Sequence, residues 1–346
     1  MLMFWAMFVV AAWGALVPSS LPRNQSRLVW WIVGLAFAFI IGLRHEVGGD
    51  WFNYLPQFVD ASGMTFEQAA AKGDPGHYVL QMWVADLGGE IYTANLIYAL
   101  VLMWGTMVFC RRQPAPWLAL MVAVPYMLIV VGMGYTRQSV ALGFALLGLV
   151  ALGEHRIRTF AVCVGLGALF HKSAVLLMPI AALAASRNRF LSIAMVAVSG
   201  VLLYYLLLMD SAENLWRNYI EEQMQSQGAM IRVLMNSVPA VILLVYGRKL
   251  VSDPQERKLW TWIAIFALAC IPLVSLASTA VDRVALYLIP LQLFVFARLP
   301  RLASSAQQRF SLVILVVVYY AAALFVWLSF AVHSTYWIPY QFMPLY

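Results

Sequence analysis

Apolar runs separated by charge, proline or glycine recur along the whole chain: 2–18, 28–43, 90–110, 116–134, 138–153, 157–170, 173–186, 190–209, 232–247, 259–279, 284–298 and 310–331. A helix needs about 20 residues to cross the hydrocarbon core, fewer where it is broken or the bilayer is thinned. The pattern therefore predicts an all-α polytopic membrane protein of about twelve transmembrane helices, one domain spanning 1–346. The two short runs flanking His171 are expected to be broken or to stop inside the bilayer. Two stretches between runs are long, 44–76 and 210–231, and both are expected to be loops.

Composition sharpens this picture. Hydrophobic residues are 63% of the 346, charged residues 11%, and the mean hydropathy is +0.81. A soluble domain carries about 25% charge, so lipid must be the solvent for most of this chain. The run at 1–17 lacks the basic start of a cleaved signal and reads as the first span. The three cysteines, Cys110, Cys163 and Cys270, show neither disulfide nor metal spacing.

The formal charge of +7 does not indicate nucleic acid, because the basic residues form short clusters between apolar runs. Fifteen of the 22 lie in alternate loops, at 23–27, 111–112, 156–158, 187–189, 248–258 and 298–309. The positive-inside rule places those loops in the cytoplasm and both termini outside. An even number of crossings follows only if segment 76–89 does not cross, so 44–89 is expected to be an outer loop carrying an interfacial or re-entrant helix. The other seven basic residues, and twelve of the fifteen acids, fall on the outer side.

Polar side chains at membrane depth are costly and mark function by default. Five groups stand out. Arg44-His45-Glu46-Val47-Gly48-Gly49-Asp50 continues to Trp51 and Tyr54, and its paired glycines suit a tight turn or close backbone approach of the kind anion-binding loops need. Asp74-Pro75-Gly76-His77-Tyr78 opens the interfacial helix, where Asp74 is either a plain N-cap or a functional acid. Tyr135-Thr136-Arg137-Gln138 sets a cation at a helix N-terminus, against the dipole, a defect that a phosphate would repair. Phe170-His171-Lys172-Ser173 sits between two apolar runs, and Asp282-Arg283 precedes Tyr287 by one turn.

Gathered in one cavity, Arg44, Arg137, Lys172 and Arg283 suit a lipid-linked phosphate or pyrophosphate. Asp50 and Asp282 are placed to orient the arginines or to bind sugar hydroxyls. Outer aromatics (Trp51, Tyr54, Tyr78, Trp216, Tyr219, Tyr336, Trp337) fit either sugar stacking or an interfacial belt. Asp50 with His45 and His77 can be drawn as a metal site, but the spacing argues only weakly for one, and a metal is not indicated.

In this order the motifs resemble the EpsG family of exopolysaccharide and O-antigen polymerases, functional relatives of the Wzy proteins of lipopolysaccharide synthesis. The matching residues are Arg44, Gly49-Asp50 and Tyr54; Arg137-Gln138; Phe170-His171-Lys172-Ser173-Ala174; Asp282-Arg283 and Tyr287; and Tyr336-Trp337-Ile338-Pro339-Tyr340. Asp74 stands where the family usually carries Glu. The resemblance implies a GT-C-like, metal-independent glycosyltransferase in the bacterial inner membrane, with its active site facing the periplasm and no cofactor. It would transfer a glycan from undecaprenyl pyrophosphate to the terminal sugar of a lipid-linked repeat unit. His171 or Asp50 would be the catalytic base. Arg44, Arg137, Lys172 and Arg283 would clamp pyrophosphate, with Tyr54, Gln138, Asp282 and Tyr287 completing the substrate site. A chain-length-regulating co-polymerase is an implied partner. The rival readings are a transporter or flippase of lipid-linked oligosaccharide, an O-antigen ligase and a membrane acyltransferase.

Overall fold

The computed structural model describes residues 1–17, 22–185, 201 and 228–345, which are almost wholly helical. Among the described residues there is no strand, only an isolated bridge between Arg44 and Phe342. The helices are α1 (Leu2–Leu16), α2 (Arg23–Gly42), α3 (Trp51–Ser62), α4 (Phe66–Ala70), α5 (Pro75–Asp86), α6 (Ile91–Arg111), α7 (Pro116–Gly134), α8 (Thr136–Gly153), α9 (Ile157–Phe170), α10 (Met178–Ala185), α11 (Ala229–Leu250), α12 (Pro254–Leu273), α13 (Ser278–Leu286), α14 (Pro290–Phe296) and α15 (Ala306–Phe330). Proline opens α5, α7, α12 and α14, at a position where the missing N–H costs nothing.

Six of these helices are long and apolar enough to cross a membrane: α6, α7, α8, α11, α15 and, over Asn24–Gly42, α2. Ser278–Leu286 and Pro290–Leu302 together make a seventh candidate, bent by 49° at the break. The helices α1 and α9 are apolar but shorter. The apolar run expected at 190–209 lies outside the described residues except for residue 201, as does the expected loop 210–231 up to residue 227.

The stretch 44–76 is not the open loop its polar residues suggested. The amphipathic helix α3 turns Trp51, Tyr54 and Ala61 inward at helical spacing, and α4 follows behind a capping box made by Thr65 and Gln68. The next helix, α5, has twelve residues, about 18 Å, too short to span. It packs against α3, α6 and α9.

Burial ranks the spans. In α7, 94% of the apolar window is buried, against 22% in α15, whose Val318, Phe325, Val326 and Phe330 are exposed as lipid-facing side chains should be. The middle of α7, Val124–Val131, widens into a π-helix beginning next to Pro125, which cannot donate a backbone bond. Where α6 meets α8, Gly105 and Gly143 lie backbone to backbone, so a Cβ on either would overlap the other helix. Small residues permit such close crossings between membrane helices.

A polar chain lies buried among α11, α14 and α15. Gln292 donates to Asn236 Oδ1 at 2.6 Å, Tyr320 donates to Gln292 Oε1 at 2.6 Å, and Asn236 donates to the Ala285 carbonyl at 2.9 Å. Isolated amides in apolar runs gave no sign of this network. The basic turns meet at one end of the bundle: Arg112 and Arg156 both pair with Glu154, while buried Arg298 reaches Gln113 and, at 3.1 Å, Glu256.

Candidate functional site

At the opposite end, five elements bring their termini together. They are the N-terminus of α3 with Asp50 and Tyr54, that of α5 with Asp74 and His77, that of α8 with Arg137 and Gln138, the junction after α9 with His171, Lys172 and Ser173, and α13 with Asp282 and Arg283, followed by Tyr287.

The hub is Arg137. Its Nη1 donates to Asp74 Oδ2 at 2.7 Å, and its guanidinium stands 5.8 Å from the ring centre of Tyr54. Asp74 occupies the N-cap position of α5 yet makes no side-chain cap bond, because its carboxylate is turned to Arg137 instead. The cation at the α8 N-terminus is thus balanced by an acid 63 residues earlier, the role assigned above to phosphate. The Arg137 Nε–H is buried and has no acceptor among the described residues. Lys172 lies beside Gly73, its Nζ 3.9 Å from where a Gly73 Cβ would stand.

Asp50 and His171 share the same two cations, Arg137 and Arg283, as electrostatic neighbours. Burial raises the Asp50 carboxyl above its ordinary value, against the pull of Arg137, an Asn53 hydrogen bond and Arg283. Burial likewise raises the Asp74 carboxyl, opposed first by Arg137. His171 is lowered to about 3, by burial first and then by Arg283 and Arg137. Its Nδ1 is 2.6 Å from Ser173 Oγ, which is 3.1 Å from the Tyr287 hydroxyl. Gln138 donates to the Arg283 carbonyl at 3.1 Å and so fixes the turn that carries Arg283. The Arg283 side chain is exposed and has no hydrogen bond or ion pair among the described residues.

Three expected members sit differently. Arg44 is 1% exposed and spends its donors on the Ile41 and Val47 carbonyls, at 2.8 and 2.9 Å, and on Thr136 Oγ1 at 2.9 Å. It locks the end of α2 to the start of α8, with its guanidinium 5.6 Å from the Trp51 ring centre. Asp282 makes a two-pronged ion pair with Arg232 of α11, not with its neighbour Arg283. Gly48 serves packing rather than an anion: its φ is +110°, its N–H donates to the Tyr336 carbonyl at 2.8 Å, and a Cβ would overlap the Met133 carbonyl.

The C-terminal segment straps this region down. Trp337 Nε1 donates to the Ile129 carbonyl of the π-helix at 3.0 Å, Tyr340 donates to the Ile40 carbonyl at 2.6 Å, and backbone bonds join 43–48 to 336–343. His45 is engaged by the Tyr92 hydroxyl at 2.6 Å. His77 is fully buried between Gln57, at 3.2 Å, and Tyr98, at 2.9 Å. Burial first, then Arg137, lowers His77 to about 3. Among the described residues, no three His, Cys, Asp or Glu side chains gather as a metal site. Ser173 and Arg232 were not among the expected site residues. Ser173 was within reach of sequence reasoning through its place beside His171, whereas nothing in the sequence tied Arg232 to Asp282.

A helical membrane bundle with charged side chains converging at one end is the class this geometry defines. The model of the EpsG family matches residues 27–342, nearly the whole chain, and the protein belongs to the EpsG family. Comparison with curated proteins and with solved structures gave no match.

Proposed function

We propose that this protein is a polysaccharide polymerase that moves a growing glycan from undecaprenyl pyrophosphate onto the terminal sugar of a lipid-linked repeat unit. The observation that supports this best is the convergence of Arg137, Lys172 and Arg283 with Asp50, His171 and Tyr287 at the end of the bundle opposite the main basic turns. In this reading the basic end faces the cytoplasm and the site faces the periplasm. The chain is then a GT-C-like protein of the bacterial inner membrane with about twelve crossings.

The reaction needs two aids. A sugar hydroxyl attacks the anomeric carbon, the bond from that carbon to the phosphate oxygen breaks, and polyprenyl pyrophosphate leaves with the electron pair. The hydroxyl proton needs a base, and the leaving group needs positive charge. Arg283, without a hydrogen bond or ion pair among the described residues, and Arg137, whose Nε–H has no acceptor among them, supply that charge together with Lys172. The carboxylate of Asp74 holds Arg137 in place, and Arg44 acts at one remove by fixing the loop that carries Asp50. Tyr54, Gln138 and Asp282 shape the site around substrate, Gln138 through the Arg283 backbone and Asp282 through Arg232. A co-polymerase that sets chain length would act on this enzyme from the same side.

Loss of the gene tests the reading in cells. A polymerase mutant accumulates single lipid-linked repeat units on the outer leaflet. Accumulation on the inner leaflet would instead identify a flippase.

A further inference from the structure

Resting on the polymerase reading for its chemical role, we infer that Ser173 holds the His171 ring with its proton on Nε2, so that His171 serves the site as a hydrogen-bond donor and Asp50 takes the proton of the acceptor hydroxyl.

The argument is a count of protons. The backbone N–H of Ser173 donates to His171 Nδ1 at 3.3 Å. A backbone N–H is only ever a donor, so Nδ1 must present a lone pair. The Ser173 hydroxyl oxygen lies 2.6 Å from the same nitrogen. Two lone pairs facing each other at that distance would repel, so the hydroxyl proton lies between them. Having spent its single proton there, Ser173 accepts from the Tyr287 hydroxyl across the 3.1 Å contact. Either hydroxyl of that pair is able to donate, and the Nδ1 lone pair decides the direction. Donation therefore runs from Tyr287 to Ser173 to His171.

A histidine that works as a base has its orienting partner on the other side of this ledger. There, one ring nitrogen gives its proton to a carboxylate or carbonyl, leaving the second as a lone pair for substrate. The neighbours of His171 Nδ1 are donors, so Nε2–H is what the ring offers. That N–H suits an oxygen on which negative charge grows, such as the bridging oxygen of the departing pyrophosphate. His171 keeps its proton throughout, and the bond it donates strengthens as the leaving group departs.

Asp50 is left to accept the proton. It stands at the N-cap position of α3 without using its carboxylate as a cap, and it shares Arg137 and Arg283 with His171. The proton moves from the acceptor hydroxyl to the Asp50 carboxylate as the new bond to the anomeric carbon forms.

The first test needs no substrate. Full-length protein labelled with ¹⁵N-histidine is reconstituted in nanodiscs at pH 7, and the His171 signals are identified by their loss in His171→Gln. The expected spectrum shows a protonated Nε2 and an unprotonated Nδ1. Ser173→Ala, which keeps the backbone N–H but loses the hydroxyl, should keep the tautomer and shift the Nδ1 signal, and Ser173→Thr should restore the wild-type spectrum. A proton on Nδ1 in the wild type, or an unchanged spectrum in Ser173→Ala, overturns the assignment.

The second test follows chain extension with the lipid-linked repeat unit. Asp50→Asn is expected to lower turnover at saturating substrate by roughly 10²–10⁴-fold. His171→Gln, whose amide can still donate, should keep at least ten times more turnover than His171→Ala. Equal loss in both His171 variants, or wild-type turnover in Asp50→Asn, overturns the roles. If the wild-type protein extends nothing, the polymerase reading fails, while the tautomer result stands independently.

Discussion

Arg137 and Asp74 meet at 2.7 Å, joining the first turn of α8 to the start of α5. Neither residue is doing what its position alone suggests. Asp74 leaves the helix it should cap, and Arg137 sits where the helix dipole disfavours a cation. The pair settles both anomalies and fixes α5, which touches α3, α6 and α9 together.

Asp74→Asn should therefore lower chain extension by roughly a hundredfold, the scale of a misplaced positioning group. Asp74→Glu, which keeps the charge, should retain most of it. The measurement is polymer formed per minute by equal amounts of inserted protein, and wild-type activity in Asp74→Asn would separate the pair from function.

Arg283→Ala should cost more than Arg44→Lys in turnover and less in stability. Arg283 is exposed and unpartnered among the described residues, so its removal disturbs no packing and takes away charge only. Loss of one donor to a developing anion costs roughly 10²–10³-fold in rate. Arg44 is buried with three hydrogen bonds, which Lys cannot reproduce, so Arg44→Lys should unfold at lower temperature in detergent. Thermal unfolding alongside activity checks the contrast.

Gly105→Ala should weaken the fold without touching the site. Its Cβ would strike the Gly143 backbone and drive α6 away from α8. A cost of roughly 1–3 kcal/mol is expected for such overpacking, read as a lower unfolding temperature. An unchanged midpoint would mean that the crossing is looser than it looks.

Acid should destabilise the protein through its two buried histidines. His77 and His171 are both lowered to about 3 by burial, whereas an unfolded histidine titrates near 6.5. Between those values the unfolded chain binds more protons than the folded one, so stability falls as pH drops from about 6.5. The unfolding temperature at pH 5 should lie below that at pH 7, and the difference should shrink in His77→Gln. A pH-independent midpoint would show that these histidines are solvated.

Much of the architecture was legible because lipid imposes a strict rule: apolar runs long enough to cross become helices, and charge marks their ends. The order of Arg137, His171, Lys172 and Arg283 along alternating spans was enough to bring them to one end. The functions of Arg44 and Gly48 were not legible, since a lone arginine and a paired glycine read alike whether they face a ligand or a carbonyl. The partners of Asp282, Asn236 and Gln292 lie 28 to 56 residues away on other helices, beyond the reach of any local pattern. The helical character of 44–76 was hidden because α3 buries only one face and is rich in aromatics with weak helix preference.

The most direct measurement uses purified protein in nanodiscs and the lipid-linked repeat unit extracted from cells lacking the gene. Wild-type protein should convert it into a ladder of products one repeat apart, and Arg137→Ala, inserted equally well, should leave the single unit unchanged. A ladder of full length from Arg137→Ala, or none from the wild type with its own repeat unit, would contradict the account.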